Sequence, residues 1–163
     1  ERIADGDRQR LMRIVAVARA TGRTLSELQK ETRPLIDPAS AFGVAITPPR
    51  EGLYARIEAR FDAMMAAGAL EEARALAGRD LDPSLPAMKA VGLPPLLAHL
   101  AGETSLEGAI ATAKRDSRRY AKRQFTWFSN QHPGWSRITA LDPAAQRGEL
   151  DALLSQTFPE RST

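Results

Sequence analysis

Apolar positions along this chain recur mostly at helical spacing. In residues 7–20, Leu11, Ile14, Val15 and Ala18 fall at i, i+3, i+4 and i+7. Arg8, Arg10, Arg13 and Arg19 take the polar side and Gly22 follows as a stop, which predicts a helix over 7–20. Thr24 opens a second, short helix through a capping box with Glu27. Residues 31–41 read as a loop punctuated by Pro34 and Pro38. Residues 42–46 (FGVAI) form the one convincing strand, nearly all apolar and bounded by Pro48 and Pro49. Such a run suits a strand buried on both faces, as in a parallel sheet. A lone strand leaves its backbone groups unpaired, so its neighbours are expected in sequence outside this chain.

Helical periodicity then returns. Leu53, Tyr54, Ile57, Phe61, Met64 and Met65 make the stripe of a helix over 50–67, with Gly68 as its C-terminal cap. Glu71 and Glu72 favour the first turn of the next helix, which ends near Gly78. Residues 79–92, with Pro83 and Pro86, read as irregular. Pro94 and Pro95 start another helix that ends before Gly102. Thr104 and Glu107 form a second capping box, opening a helix that runs to about Phe128. Its expected inner side carries Leu106, Ala109, Ile110, Ala113, Ser117, Tyr120 and Ala121. A last helix is predicted over 144–158, beyond Trp135 and Ile138. The predicted fold class is mainly α, with one or few short strands in this fragment.

Composition narrows the function. With 163 residues, 43% of them hydrophobic, the chain has enough apolar material for a core. It has no cysteine, which excludes disulfides, thiolate metal sites and cysteine nucleophiles. No apolar run approaches the ~20 residues that cross a bilayer, so no membrane partner is expected, and a cytoplasmic protein fits. The chain starts at Glu1 rather than methionine and reads as a piece of a longer protein.

Charge is concentrated in one place. Lys114 to Arg123 holds six basic residues (Lys114, Arg115, Arg118, Arg119, Lys122, Arg123) against Asp116, a local +5 in a chain whose total is +3. Four of the nine aromatic residues follow within 120–128. Guanidinium groups pair with phosphates and aromatic faces stack on bases, so this helix is a candidate nucleic-acid surface. The alternative is an amphipathic helix with a solvated basic face and its aromatics in the core. Lys122-Arg123-Gln124 adds an amide able to read a base edge, followed by Thr126, Trp127 and Phe128.

Three smaller motifs accompany it. Arg50 follows Pro48-Pro49 directly after the strand, where α/β proteins bind ligands and where a helix N-terminus suits a phosphate or diphosphate. Its alternative is an arginine paired with Glu51 or another acid. Lys89 and Gly92 in AMKAVG form a loop through which backbone can approach a nucleic acid, or a simple turn. Gln9, Arg10 and Arg13 on the first helix are either nucleic-acid contacts or its wet side. His99 and His132 show no ligand spacing and no GxxxxGK[ST] loop occurs, so no metal site and no catalytic residue is assigned within the fragment.

Taken in order, GDRQRLMRIVAV, ATGRTLSEL, PPREGLYARIEARFDAMMAAG, AMKAVGL and EGAIATAKRDSRRYAKRQFTWF resemble the C-terminal half of bacterial tRNA dimethylallyltransferases, up to about Trp135. RRYAKRQFTWF is the most specific piece. The resemblance implies an enzyme that moves a dimethylallyl group from its diphosphate to the exocyclic amine of the adenine beside the anticodon. The complete protein would be an α/β, phosphate-loop nucleoside-kinase-like fold with a helical insertion around the tRNA anticodon arm, monomeric when complete. Its phosphate loop binds diphosphate in place of ATP, with Mg2+. That loop and a carboxylate general base would both precede Glu1, leaving the fragment inactive alone.

On the same resemblance, residues 1–41 would end the insertion and 42–163 would belong to the catalytic domain. Arg50 would contact the diphosphate of dimethylallyl diphosphate. Gln9, Arg10, Arg13, Lys89, Gly92, Lys122, Arg123, Gln124, Thr126 and Trp127 would contact tRNA. Leu93 and Pro94 depart from the family, which has tyrosine and often a basic residue there, so contacts from those two positions are lost. A stand-alone helical RNA-binding module without chemistry is the alternative, and a scaffold gripping an acidic protein is a third reading.

Overall fold

A computed structural model describes residues 7–159. They divide into two compact units that part between Phe42 and Gly43.

In the first unit, helix α1 spans Arg8–Thr21 and helix α2 spans Leu25–Glu31, followed by a single 3-10 turn at Pro38–Ser40. Local hydrogen bonds fix the helix ends. Asp7 accepts the Arg10 N–H at 3.0 Å, and Gly22, in the left-handed region, closes α1 on the Ala18 carbonyl. The expected capping box is complete: the Thr24 N–H reaches Glu27 Oε2 at 2.8 Å and the Glu27 N–H reaches Thr24 Oγ1 at 3.2 Å. The bond from the Thr24 backbone holds the Glu27 carboxyl below its ordinary range. A two-pronged Arg23–Glu31 ion pair spans α2. The apolar face of α1 forms as predicted, yet Leu11, Met12 and Val15 stay exposed.

The second unit runs strand β1 (Val44–Ile46), helix α3 (Arg50–Ala66), helix α4 (Ala69–Ala77), a 3-10 turn (Pro86–Lys89), helix α5 (Leu93–Leu100), helix α6 (Leu106–Gln131), strand β2 (Ser136–Ile138) and helix α7 (Pro143–Thr157). Its core gathers Phe61 from α3, Ala73 from α4, Leu96 from α5, and Ala109 and Ala113 from α6. Ala109 and Ala113 are fully buried, so small side chains set how closely α6 lies on its neighbours. Gly92 precedes α5 at φ +98°, and a Cβ there would stand 3.0 Å from the Phe61 ring. Glycine is needed on both counts, and its absent side chain lets the 89–92 loop approach α3 and α6.

Several expectations are corrected. β1 finds a neighbour inside the chain: β2 pairs with it in parallel, with Ala45 opposite Arg137 and Ile46 opposite Ile138. Bonds from the Ser136 N–H to the Gly43 carbonyl and from the Thr47 N–H to the Ile138 carbonyl lengthen the ladder. SRI in β2 is too short and too polar to announce a strand, and only pairing makes it one. β1 is also not buried on both faces: Ala45 is, but Ile46 is 53% exposed. The cap of α6 is Ser105, whose Oγ accepts the Gly108 N–H at 3.1 Å, rather than a Thr104–Glu107 box. Thr104 instead offers its carbonyl to His99 Nδ1 at 3.0 Å. Met64 and Tyr120 face outward. The inner stripe of α3 is Ile57, Phe61 and Met65 at four-residue steps, which leaves Met64 at its edge, while Tyr120 is half exposed with the Arg123 guanidinium against its ring.

Close packing at Ala113 yields a direct expectation. Ala113→Leu should destabilise the fold by about 1–3 kcal/mol through overpacking against Phe61 and the 92 loop, read as a lower urea midpoint with an unchanged slope.

Candidate nucleic-acid and diphosphate site

The basic run on α6 divides by which way each side chain points. Lys114 bonds Asp62 of α3 at 2.6 Å, and its side chain is only 18% exposed. One turn later Arg118 pairs with Glu58. The later cation meets the earlier acid, so α3 and α6 run antiparallel and the two pairs form a ladder between them. Arg115 and Arg119 share the more distant Asp116, at 3.9 and 3.7 Å. Lys122 and Arg123 make no ion pair among the described residues, although Arg123 lies 5.6 Å from the Tyr120 ring centre. Lys114 and Arg118 therefore serve the fold, neither turned to water nor free for a nucleic acid.

Beyond the ladder, α6 presents two different faces. Arg119, Lys122, Arg123, Thr126, Trp127, Asn130 and Gln131 line one open groove of about 520 Å³. Trp127 is 52% exposed in it, which leaves an indole face available for stacking. Arg119 and Arg123 also border a notch formed with Lys89, Gly92 and Pro94. Lys89, Gly92, Lys122, Arg123, Thr126 and Trp127, selected separately from the sequence, thus lie on one continuous surface. Pro94 and Pro95 occupy the first turn of α5 and lack N–H groups, so cation side chains rather than that helix end supply the positive charge.

Gln124 and Phe125 belong to the other face. With Ile46, Thr47, Pro48, Leu53, Arg56, Phe128, Leu141 and Gln146 they line a groove of about 290 Å³ beyond the carboxyl end of β1. Arg50, the first residue of α3, is exposed, with its guanidinium 5.9 Å from the centre of the Phe125 ring. No acid pairs with it among the described residues, so the alternative of an Arg50–Glu51 pair is not found. Gln9, Arg10 and Arg13 are exposed on α1 in the first unit. No three metal-ligating side chains converge among the described residues.

Two contributors escaped sequence reasoning. Arg137 of β2 donates to the Phe128 carbonyl at 3.1 Å and the His132 carbonyl at 3.0 Å, tying off the end of α6. His132 stacks on Trp135 with ring centres 4.0 Å apart and meets the Trp127 ring edge-on at 5.0 Å. The role of Arg137 depends on β2, so no local pattern could have exposed it. A histidine flanked by tryptophans was a visible signal for the aromatic cluster.

The sequence model of the IPP transferase family matches residues 1–131. The chain belongs to the IPP transferase family. Among curated relatives, it is 56% identical over 155 residues to the tRNA dimethylallyltransferase of Maricaulis maris (strain MCS10), covering 95% of this chain and 50% of that protein. It is 57% identical over 145 residues to that of Phenylobacterium zucineum (strain HLK1), covering 89% and 47%. The crystal structure of the full-length tRNA isopentenylpyrophosphate transferase from Bacillus halodurans superposes with a TM-score of 0.65 at 30% identity, over 98% of this chain and 48% of that one. The tRNA delta(2)-isopentenylpyrophosphate transferase from Staphylococcus epidermidis gives the same TM-score at 27% identity, over 97% and 51%. The chain spans about half the length of the relatives it matches. The IPP transferase match ends with the last residue of α6, and β2 and α7 lie beyond it.

The division of charge on α6 is measurable without RNA. Lys114→Met and Arg118→Met should each cost up to about 1 kcal/mol in urea unfolding, since each strands an acid on α3. Lys122→Met and Arg123→Met should stay within about 0.5 kcal/mol of the parent. Equal losses at all four positions would contradict the division.

Proposed function

We propose that this chain is the C-terminal half of a tRNA dimethylallyltransferase and supplies both tRNA contacts and a clamp for the prenyl donor. The observation that carries the reading is the two-faced α6, with unpaired Lys122 and Arg123 beside exposed Trp127 on one side and Phe125 beneath unpaired Arg50 on the other. Family membership supports the same substrates. In the reaction, the adenine exocyclic amine attacks the first carbon of the dimethylallyl group. The carbon–oxygen bond breaks, the diphosphate leaves with the electron pair, and the amine loses a proton to a base outside this chain.

Arg50 stabilises the charge that grows on the leaving diphosphate. A guanidinium fixed in place before the reaction needs no reorganisation as the bond breaks. Lys122, Arg123 and Lys89 neutralise backbone phosphates of the anticodon arm, while Trp127 offers a stacking surface. Gln124 points to the donor face, so its amide suits the adenine only after that base has left its stack and reached the donor. The unit boundary near residue 42 supports assigning 1–41 to the end of the helical insertion, with Gln9, Arg10 and Arg13 as its RNA contacts, and 42–163 to the catalytic domain. Magnesium, bound mainly by the other half, would add positive charge at the diphosphate. A tRNA substrate fits an enzyme of the cytoplasm.

The test uses the full-length enzyme. Arg50→Ala should raise KM for dimethylallyl diphosphate roughly tenfold or more, the loss of a charge-assisted contact of about 1.5–3 kcal/mol, and leave tRNA affinity within about twofold. Unchanged donor kinetics would remove Arg50 from the site. Lys122→Ala and Arg123→Ala should each weaken tRNA binding and lower the slope of log K against log salt by about one. Parental binding across the salt series would refute the RNA face.

A further inference from the structure

The segment joining β2 to α7, residues 139–142, is held unusually firmly for a surface connection, and it lies against the first two turns of α3. The Arg56 guanidinium donates to the Leu141 carbonyl. The Leu141 side chain fills the space over Gly52, where a Cβ would stand 2.9 Å from Leu141 Cδ2. Gln146 Nε2 donates to the Ala140 carbonyl at 2.9 Å, and Glu149 accepts the Thr139 N–H at 2.8 Å. Asp142 accepts the N–H groups of Ala144 and Ala145 to start α7. The segment is thus fixed by α7 on one side and by α3 on the other.

What it touches is the turn that carries Arg50. Gly52 is two residues from Arg50, and Arg56 lies on the following turns of α3. The other approach to Arg50 runs from β1 through Thr47, Pro48 and Pro49, and the Thr47 N–H is itself bonded to the Ile138 carbonyl of β2 at 2.7 Å. Both supports of Arg50 therefore trace back to residues after 131, beyond the IPP transferase match. We propose that residues 139–142, through Leu141 over Gly52 and Arg56 on the Leu141 carbonyl, form a latch that positions Arg50 for the diphosphate.

This rests on the reading of Arg50 as the donor clamp. Arg56 and Leu141 border the donor-side groove themselves, but the Arg56 guanidinium is engaged by the Leu141 carbonyl, so the role proposed for both is to position Arg50 through the first turn of α3. An arginine on a slackened helix end would keep its charge and lose its aim, and small misplacements of a clamp cost far more rate than they cost stability. Arg56 is exposed, so replacing it spares the core.

The experiment compares four variants of the full-length enzyme: Arg56→Met, Arg56→Lys, Arg50→Ala and Arg50→Ala with Arg56→Met. Arg56→Met should raise KM for dimethylallyl diphosphate by roughly three- to tenfold and leave tRNA Kd within about twofold. Arg56→Lys, which can still donate to the Leu141 carbonyl, should recover most of the loss. In the Arg50→Ala background, Arg56→Met should add almost nothing, because coupled residues are non-additive. If Arg50→Ala raises KM but Arg56→Met does not, the latch is wrong and the clamp stands. An Arg56→Met effect of equal size in both backgrounds also overturns the latch, since it then acts without Arg50. If Arg50→Ala leaves KM unchanged, the clamp fails and the latch falls with it.

Discussion

The close seat of α6 on α3 and α5 is the constraint on which the rest depends. Ala109 and Ala113 are fully buried at that contact, and a larger residue at either would lift the helix away. Beyond them the Glu58–Arg118 and Asp62–Lys114 pairs set the rotation of α6 about its axis. Dispersion fixes the distance and charge fixes the angle. Once both are set, the last three turns of the helix can project past the core, with a basic, aromatic face and a face turned toward the end of β1, held at a fixed angle to each other.

That geometry turns one amphipathic helix into a partition. Lys122, Arg123, Thr126 and Trp127 lie on the side that continues into the Lys89–Gly92 notch. Gln124, Phe125 and Phe128 lie on the side that continues to the carboxyl end of β1 and α3. In the proposed reaction the acceptor and donor approach from different directions and must meet at one carbon. A helix whose neighbouring residues address the two substrates separately is a short route to that arrangement. In the same proposal, the two-stranded parallel pair and residues 139–142 anchor the donor side.

Helices were legible because their signals are local. Periodicity, the Thr24–Glu27 box and the glycines after α1 and α3 each act within a few residues. β2 was not legible, because Ser136, Arg137 and Ile138 become a strand only by pairing with β1, more than ninety residues earlier. The geometry of the candidate site was half legible. Charge density and aromatic spacing marked α6 and the family pattern marked Arg50. Sequence could not reveal that Lys114 and Arg118 are paired by acids of α3, nor that Gln124 turns away from its neighbour Arg123. Arg137 and Leu141 gained their places only through contacts with residues distant in sequence.

The partition can be tested by contact. In the full-length enzyme, a photoreactive benzoylphenylalanine at Asn130, on the basic face of α6, should crosslink to a tRNA anticodon arm. The same group at Gln146, beside the proposed donor groove, should capture no nucleotide other than the target adenine. Capture of other nucleotides at Gln146, or none at Asn130, would contradict the assignment of the two faces.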